Sequence, residues 1–471
     1  MENNQQETKV WKIALFALNN ASTNIIHCMM AYITYYASGV AGILLLTISY
    51  ALTYMRVFDA ITDPAIGYLM DKLNFGKWGK FRPWMLAGHI IMSGAVLILY
   101  NTAHNISESY RLWYLVGWYA IYIVGYTCQT TCTRAAQACL TKSEKQRPLF
   151  SLFDSLYSIF VFGGTSIFVS NVLQPKHGGF TLEFFQEFAI IAIGIATICT
   201  ILAIIGLWGQ DVAIETEDKA VEKTKLQDYI LVLKNNSALR KLVMCAGIDK
   251  LAAQCVNNSI TGVVLFGIIV GDYSFYGKMT VMAVPPMICI AAIGTKASQK
   301  LGMRKVIITM NSLGLVVLTT LACLTYFGNL GNIGLGQWDI FGMAFIVLFA
   351  LTRGLQMFGT TLFTPMVADC IDYEEYLSGK QMPGMIGSLY SFVDKLVSSL
   401  AATVVGTAVA MAGFREAAPE VGATLTPELL YAGIFCAFGF QILSACFVIY
   451  NMVTYPLTSE KMQEVQLKLN K

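Results

Sequence analysis

Residues 188–209 read FAIIAIGIATICTILAIIGLWG, a run without a single charged side chain. It is long enough to cross the hydrocarbon core of a bilayer, which takes ~20 residues. IIMSGAVLILY at 90–100 belongs to a comparable segment. Such runs leave few folds open. In lipid every backbone N–H and C=O must be satisfied internally, so a spanning segment is a helix or part of a closed barrel. A barrel would show weak alternating segments of about ten residues, which are absent. Composition agrees: 56% of the 471 residues are apolar and 13% charged, against about 25% charged in soluble proteins, and the mean hydropathy is +0.58. The net charge of +3 resides mostly in loops and does not point to nucleic acid.

A window of ~20 residues gives twelve spans, near 11–37, 42–70, 83–102, 112–141, 149–172, 184–209, 239–270, 279–297, 305–327, 337–366, 384–413 and 428–453. With the N-terminus inside, cytoplasmic loops, tails and adjoining span ends hold 23 of the 32 Lys and Arg, and external loops hold four. That asymmetry predicts cytoplasmic termini in a cell inner membrane or plasma membrane. MENNQQETKV reads as a polar tail rather than a signal peptide. The twelve cysteines lie mostly within spans, and no disulfides are expected.

The polar stretch 210–237 divides the spans six and six. This predicts an N-terminal bundle over 1–209, a cytoplasmic linker over 210–237, and a C-terminal bundle with its tail over 238–471. GYLMDKLNFGKWGKFRP after span two and GTKASQKLGMRKV after span eight echo each other: each carries glycines and basic residues at a helix end. Repeated halves around a midplane site are the usual build of secondary transporters. No Walker-type glycine loop, nucleophile–base constellation or metal-ligand cluster stands out. The expectation is a carrier, not an enzyme, with no cofactor beyond a coupling ion.

RVFDAITDPAIGYLMD (56–71) sets Asp59 and Asp63 one helical turn apart inside an apolar span. Intramembrane carboxylates are costly, and two at i and i+4 repel unless a proton or cation is shared between them. Thr62 or a backbone carbonyl supplies further oxygen for a small cation, and Pro64 removes a backbone donor and loosens the helix there. A static ion pair of Asp59 with Arg56 is the alternative.

DAITDPAIGYLMD, KWGKFRPW and the later block MVADCIDYEEYLSGKQMPGMIGSLYSFVDKL resemble the glycoside–pentoside–hexuronide:cation symporters of the major facilitator superfamily, which include the melibiose permease. The resemblance covers nearly the whole chain. It implies an all-α membrane protein of twelve transmembrane helices in two pseudo-symmetric six-helix bundles. It further implies alternating access and solute uptake driven by Na⁺ or H⁺, with Asp59 and Asp63 binding the ion. Lys395 matches the lysine that the family keeps close to both sites; snorkelling to the interface is its alternative. The melibiose permease binds sugar with an acid on helix one, an acid and a tryptophan on helix four, and an arginine on helix five. Counting from the anchored blocks places Thr23, Cys128, Cys132 and Phe153 there. None keeps the family's side chain, so a galactoside substrate is not expected.

Other polar residues offer a different pocket: Asn20, Thr23, Asn24 and His27 on span one; Cys128, Gln129 and Arg134 on span four; Asp154 on span five; Lys250 and Gln254 on span seven; Ser391 and Lys395 on span eleven. Intramembrane polar groups usually face the bundle interior or a water-filled cavity, although helix–helix hydrogen bonding is open for each Asn and Gln. Arg134 is expected either to pair with Asp154 or, like Lys250, to meet a substrate anion. Asp71, Lys80, Arg82, Asp369, Asp372 and Glu375 sit at cytoplasmic span ends, where salt bridges between the halves would close that side. The expected partners are a small polar solute, such as a glycoside, pentoside or uronide, and the bilayer, with no nucleic acid, for a chain working as a monomer. A uniporter or a carrier of a non-sugar organic solute is the alternative.

Overall fold

The computed structural model describes residues 8–73, 75, 78–136, 146–211, 232–328, 330–334, 339–379 and 382–469. Among them there is helix and loop and no strand. Eight helices are long and apolar enough on their own to cross a membrane: α3 (Arg82–Asn105), α5 (Leu149–His177), α6 (Leu182–Leu207), α8 (Ser274–Leu301), α9 (Met303–Phe327), α10 (Ile340–Ser378), α11 (Met385–Met411) and α12 (Pro427–Val453). A ninth, α7, is a bent pair, Ser237–Asn257 followed by Ser259–Ile269. Three more helices, α1 (Val10–Met30), α2 (Leu45–Lys72) and α4 (Glu108–Ala135), complete the twelve. These three fall below the apolar threshold because they carry most of the polar side chains of interest in the first half. A short amphipathic helix, α13 (Ser459–Lys468), follows.

Sequence sets the ends of these helices. Side-chain oxygens of Thr181, Asn236, Asp339, Thr426 and Thr458 accept from backbone N–H groups at the starts of α6, α7, α10, α12 and α13, which satisfies donors that a helix leaves orphaned. Gly379, in the left-handed region at φ 71°, ends α10. Two spans differ from expectation. The seventh breaks at Asn258 with a 53° bend; Asn258 is extended, and its Oδ1 caps the second segment by accepting from Ile260 N at 3.0 Å. The tenth does not stop near 366 but runs to Ser378 through Pro365, so the acidic ADCIDYEEYLS stretch is helical rather than a loop.

The chain forms two compact units. Unit 1 comprises Met1–Asp218 with Phe414–Glu420, and unit 2 comprises Lys219–Gly413 with Val421–Lys471. The linker expected over 210–237 lies mostly outside the described residues. Unit 1 packs around Ile13, Phe16, Met70, Met85 and Leu207. In it α3 and α4 approach closely: a Cβ on Gly125 would fall 2.6 Å from Met92 N, so only glycine fits at that crossing. The segment 414–420 completes the unit through hydrogen bonds from Leu45 N to Glu416 O (3.2 Å), Tyr35 OH to Pro419 O (3.1 Å) and Ala418 N to Ser38 Oγ (3.3 Å). Unit 2 packs around Leu239, Leu242, Phe363, Ile386 and Met452.

The units repeat one fastening. In unit 1, Lys12 Nζ near the start of α1 donates to Trp208 O just past the end of α6 at 3.0 Å. In unit 2, Lys241 Nζ near the start of α7 donates to Thr454 O just past the end of α12 at 2.6 Å. At the starts of α3 and α9, the Arg82 guanidinium lies over the Trp208 ring at 4.8 Å, and Arg304 donates to Met452 O and Val453 O at 2.8 and 2.6 Å. Cations at a helix C-terminus meet orphaned carbonyls and the negative end of the macrodipole. This correspondence gives the internal repeat a physical form that the glycine echo only hints at.

Candidate functional site

In unit 1 the site is built on α2, α4 and α1. Asp59 is 5% exposed and Asp63, one turn on, is partly exposed. Thr127 Oγ1 of α4 donates to Asp59 Oδ1 at 3.3 Å. Thr62 Oγ1 donates to the backbone carbonyl of Asp59 at 3.0 Å, so its proton is spent on the helix while its lone pairs remain. Arg56, one turn before Asp59, lines a cavity of about 10 Å³ together with His27, Asp59, Tyr119, Tyr122 and Tyr126. That volume holds about one water. His27 Nδ1 lies 3.4 Å from Tyr122 OH, and its ring packs against Tyr126 at 5.4 Å. The three phenols come from WYAIYIVGY at spacings of three and four, one α4 face. Sequence reasoning missed them and Thr127; an aromatic stripe at helical spacing was the available signal, and it is equally the mark of a packed core.

The other candidates on α1, α4 and α5 separate into two groups. Asn20 Nδ2 donates to Asp154 Oδ1 at 2.7 Å, joining α1 to α5. Asn24 lies on the same α1 face as Asn20 and His27, partly exposed. By contrast, Thr23, Cys128 and Gln129 belong to helix packing, which corrects their assignment to a solute pocket. Thr23 Oγ1 donates to Gln129 Oε1 at 2.8 Å, and Gln129 Nε2 reaches Met85 O and Thr200 Oγ1, both at 3.3 Å. Cys128 is buried in the hydrophobic cluster with Met85 and Cys132. Polar groups that satisfy each other between helices have little left to offer a solute. The Arg134–Asp154 pair does not form: Asp154 is taken by Asn20, and Arg134 is exposed.

In unit 2, Lys250 Nζ of α7 bonds Asp394 Oδ2 of α11, so Lys250 is already neutralised rather than waiting for an anion. Gln254 and Asn257 follow on the same α7 face; Gln254 is exposed, and Asn257 Oδ1 accepts from Arg353 at 2.5 Å. Ser391 and Lys395 lie one turn apart on α11, exposed and partly exposed.

The charges at these span ends need a further correction. Arg82 pairs within its own unit: its Nε lies 3.5 Å from Asp211 Oδ2. Asp211 also accepts from Phe81 N at 3.0–3.1 Å and from Arg82 N at 3.1 Å, capping α3. Gly79, at φ 81°, leaves room for this carboxylate where a Cβ would collide with it. Glu374, 3% exposed, accepts from Asn236 Nδ2 at 3.0 Å within unit 2. Asp369, Asp372 and Glu375 are partly exposed on the last turns of α10. Lys80 is buried with its ammonium 5.6 Å from the Phe81 ring centroid. The Asp71 side chain lies outside the described residues.

Comparison with known proteins agrees with this architecture. The MFS/sugar transport protein family matches residues 15–459. The chain is 23% identical over 401 residues to an uncharacterized symporter of Bacillus subtilis, covering 81% of this chain and 79% of the relative. It is 22% identical over 485 residues to a glucuronide carrier protein homolog of Escherichia coli, covering 98% and 95%. The solved structure of the nucleoside transporter NupG matches with a TM-score of 0.62 at 10% identity, over 95% of this chain and all of that one, which speaks to the shared transporter fold. With at least eight candidate membrane spans among the described residues and a family match that runs almost end to end, the chain is a multi-pass membrane carrier and belongs to the MFS/sugar transport protein family.

Proposed function

We propose that the protein is a secondary active symporter that moves a small polar solute by alternating access, coupled to Na⁺ or H⁺ at Asp59 and Asp63. The observation that carries this reading is the charge count on α2. Arg56, Asp59 and Asp63 sum to one negative charge in a span, which one proton or one monovalent cation neutralises. Arg56 thus does not cancel the pair, and the static Arg56–Asp59 alternative accounts for one carboxylate only. The solute is a glycoside, pentoside or uronide. Support for the uronide class comes from the E. coli relative's name and from Arg56 with its three phenols, a donor-rich wall suited to carboxylate and hydroxyl oxygens. Lys395, the lysine that the resembled symporters keep, takes part in coupling. The chain works as a monomer in a cell inner or plasma membrane with both termini cytoplasmic. It catalyses no reaction and binds no nucleic acid.

Right-side-out vesicles given radiolabelled solutes, with and without Na⁺ or H⁺ gradients, test this reading. Accumulation that follows one gradient supports it; equilibration indifferent to both gradients favours the uniporter or non-sugar carrier, a reading kept because the family's galactoside-binding side chains are absent from Thr23, Cys128, Cys132 and Phe153.

A further inference from the structure

α10 carries a guanidinium deep in its span. Arg353 lies about 20 Å along the helix axis from Ile340, at 1.5 Å per residue, well inside a hydrocarbon core ~30 Å thick. Its neighbours in sequence are packed: Thr352 is 4% exposed, and a Cβ on Gly354 would fall 2.5 Å from Ile290 Cδ1 of α8. A long cation in a span usually runs its head to the interface. Arg353 instead turns to the break in α7, where its Nη2 donates to Asn257 Oδ1 at 2.5 Å. Its Nη1 lies 3.5 Å from Gln356 Oε1, one turn on, and its guanidinium carbon is 6.0 Å from the centroid of the Phe349 ring, one turn back.

These partners are all neutral. Among the described residues no carboxylate pairs with Arg353, whereas Lys250, two turns earlier on the α7 face that bears Asn257, has Asp394. Asp249 lies about 12 Å along α7 from Asn257. An ionised side chain within a span is retained where it meets an opposite charge or a water-filled path. Arg353 is partly exposed, and Asn257 and Gln254, one turn apart on α7, are exposed, so this cation and its amides are open to a solute rather than sealed in packing. A guanidinium has five N–H donors in a planar fork. Two amide oxygens leave part of that fork unengaged, and the group it fits best is a carboxylate, through two parallel bonds.

We infer that Arg353, with Asn257 beside it and Gln254 one turn away, is the seat of the solute's carboxylate in unit 2. This rests on the uronide reading proposed above and assigns the residue that recognises the uronide's charge. Arg56 does not fill that role alone: Asp59 and Asp63 outnumber its charge on α2, and its cavity of about 10 Å³ holds about one water. Arg353 thus sets specificity, favouring an ionised sugar over a neutral one of the same shape.

The experiment is equilibrium binding of two probes to the purified full chain in detergent, at neutral pH and fixed NaCl: methyl β-D-glucuronide, and its uncharged amide, which keeps the ring and the hydroxyls. The wild-type chain should bind the glucuronide about tenfold or more tightly than the amide. Arg353→Gln should weaken glucuronide binding by about tenfold or more and leave amide binding within about twofold, so that the ratio falls toward one. Arg353→Lys, which keeps the charge and loses the fork, should give an intermediate ratio; this variant decides the matter if Arg353→Gln does not fold. A residue that only braces the α7 break would weaken both probes alike. That result, or a ratio unchanged in both variants, would overturn the inference while leaving the uronide reading in place. Failure of the wild-type chain to bind the glucuronide would overturn the inference and the uronide reading together.

Discussion

Lys250 on α7 is held by Asp394 on α11, one residue before Lys395. The acid adjacent to Lys395 in sequence is therefore committed to another helix, in keeping with the ~100° that separates successive side chains on a helix. The pair is partly solvated, with the Lys250 side chain 36% exposed. After screening, Lys250→Ala should cost about 1–2 kcal/mol of stability. A double-mutant cycle with Asp394→Ala, read by thermal unfolding, should return a coupling energy clearly different from zero. Additive losses would mean that the two side chains do not depend on each other.

Asp63→Asn should abolish concentrative uptake while leaving expression intact and permitting exchange. Removing one charge from the Arg56–Asp59–Asp63 set makes it neutral without a cation, so the ion loses its reason to bind. Accumulation ratios in vesicles check this, and wild-type ratios would count decisively against coupling at α2.

Lys395→Gln should weaken coupling or solute affinity without unfolding the protein, as expected of the lysine that the resembled symporters keep. Uptake kinetics against ion concentration are the measurement. If neither KM nor ion dependence moved, Lys395 would be a snorkelling residue.

Uronides should compete for uptake better than their neutral glycoside counterparts at fixed pH, and galactosides such as melibiose should not compete. The cationic basis for this preference has shifted with the structure. Lys250 is paired with Asp394, and Arg56 beside Tyr119, Tyr122 and Tyr126 forms a donor wall. Arg56→Lys, which keeps the charge but loses the planar fork, should narrow the difference between the two sugar classes; an unchanged ratio would place recognition elsewhere.

Asp211→Ala should lower thermal stability by about 1–2 kcal/mol, the range for a lost helix cap. It strips acceptors from Phe81 N and Arg82 N and a counter-charge from Arg82. Transport at temperatures well below melting should persist, because this carboxylate serves the fold of unit 1. Loss of transport with unchanged melting would instead give Arg82 and Asp211 a gating role.

Twelve spans were legible in the sequence because hydrocarbon thickness imposes a length and the backbone permits no alternative to helix. Even α1, α2 and α4, which carry more polar side chains, were found on a window of ~20 residues. The bend at Asn258 was not legible, since an asparagine at a span's midpoint reads equally well as a polar face, and only its cap on Ile260 N shows that the helix restarts. Aspartates one turn apart were legible because proximity along a helix is written in spacing. Partners across helices were not: nothing in the order of residues says that Gln129 meets Thr23 and Thr200, that Asp154 prefers Asn20 to Arg134, or that Arg82 turns to Asp211. The tyrosines of α4 were passed over because their spacing is also that of an ordinary core stripe.

Residues 414–420 belong to unit 1 although nearly two hundred residues of unit 2 precede them in the chain. The body that leaves the ribosome first is therefore not finished until most of the second has been made, since its three hydrogen bonds to Glu416, Ala418 and Pro419 await the chain that follows the eleventh span. A gene cut in the linker would encode a first fragment that lacks part of its own body. The two fragments should then recover a complete protein only when made together, with the second donating what the first is missing.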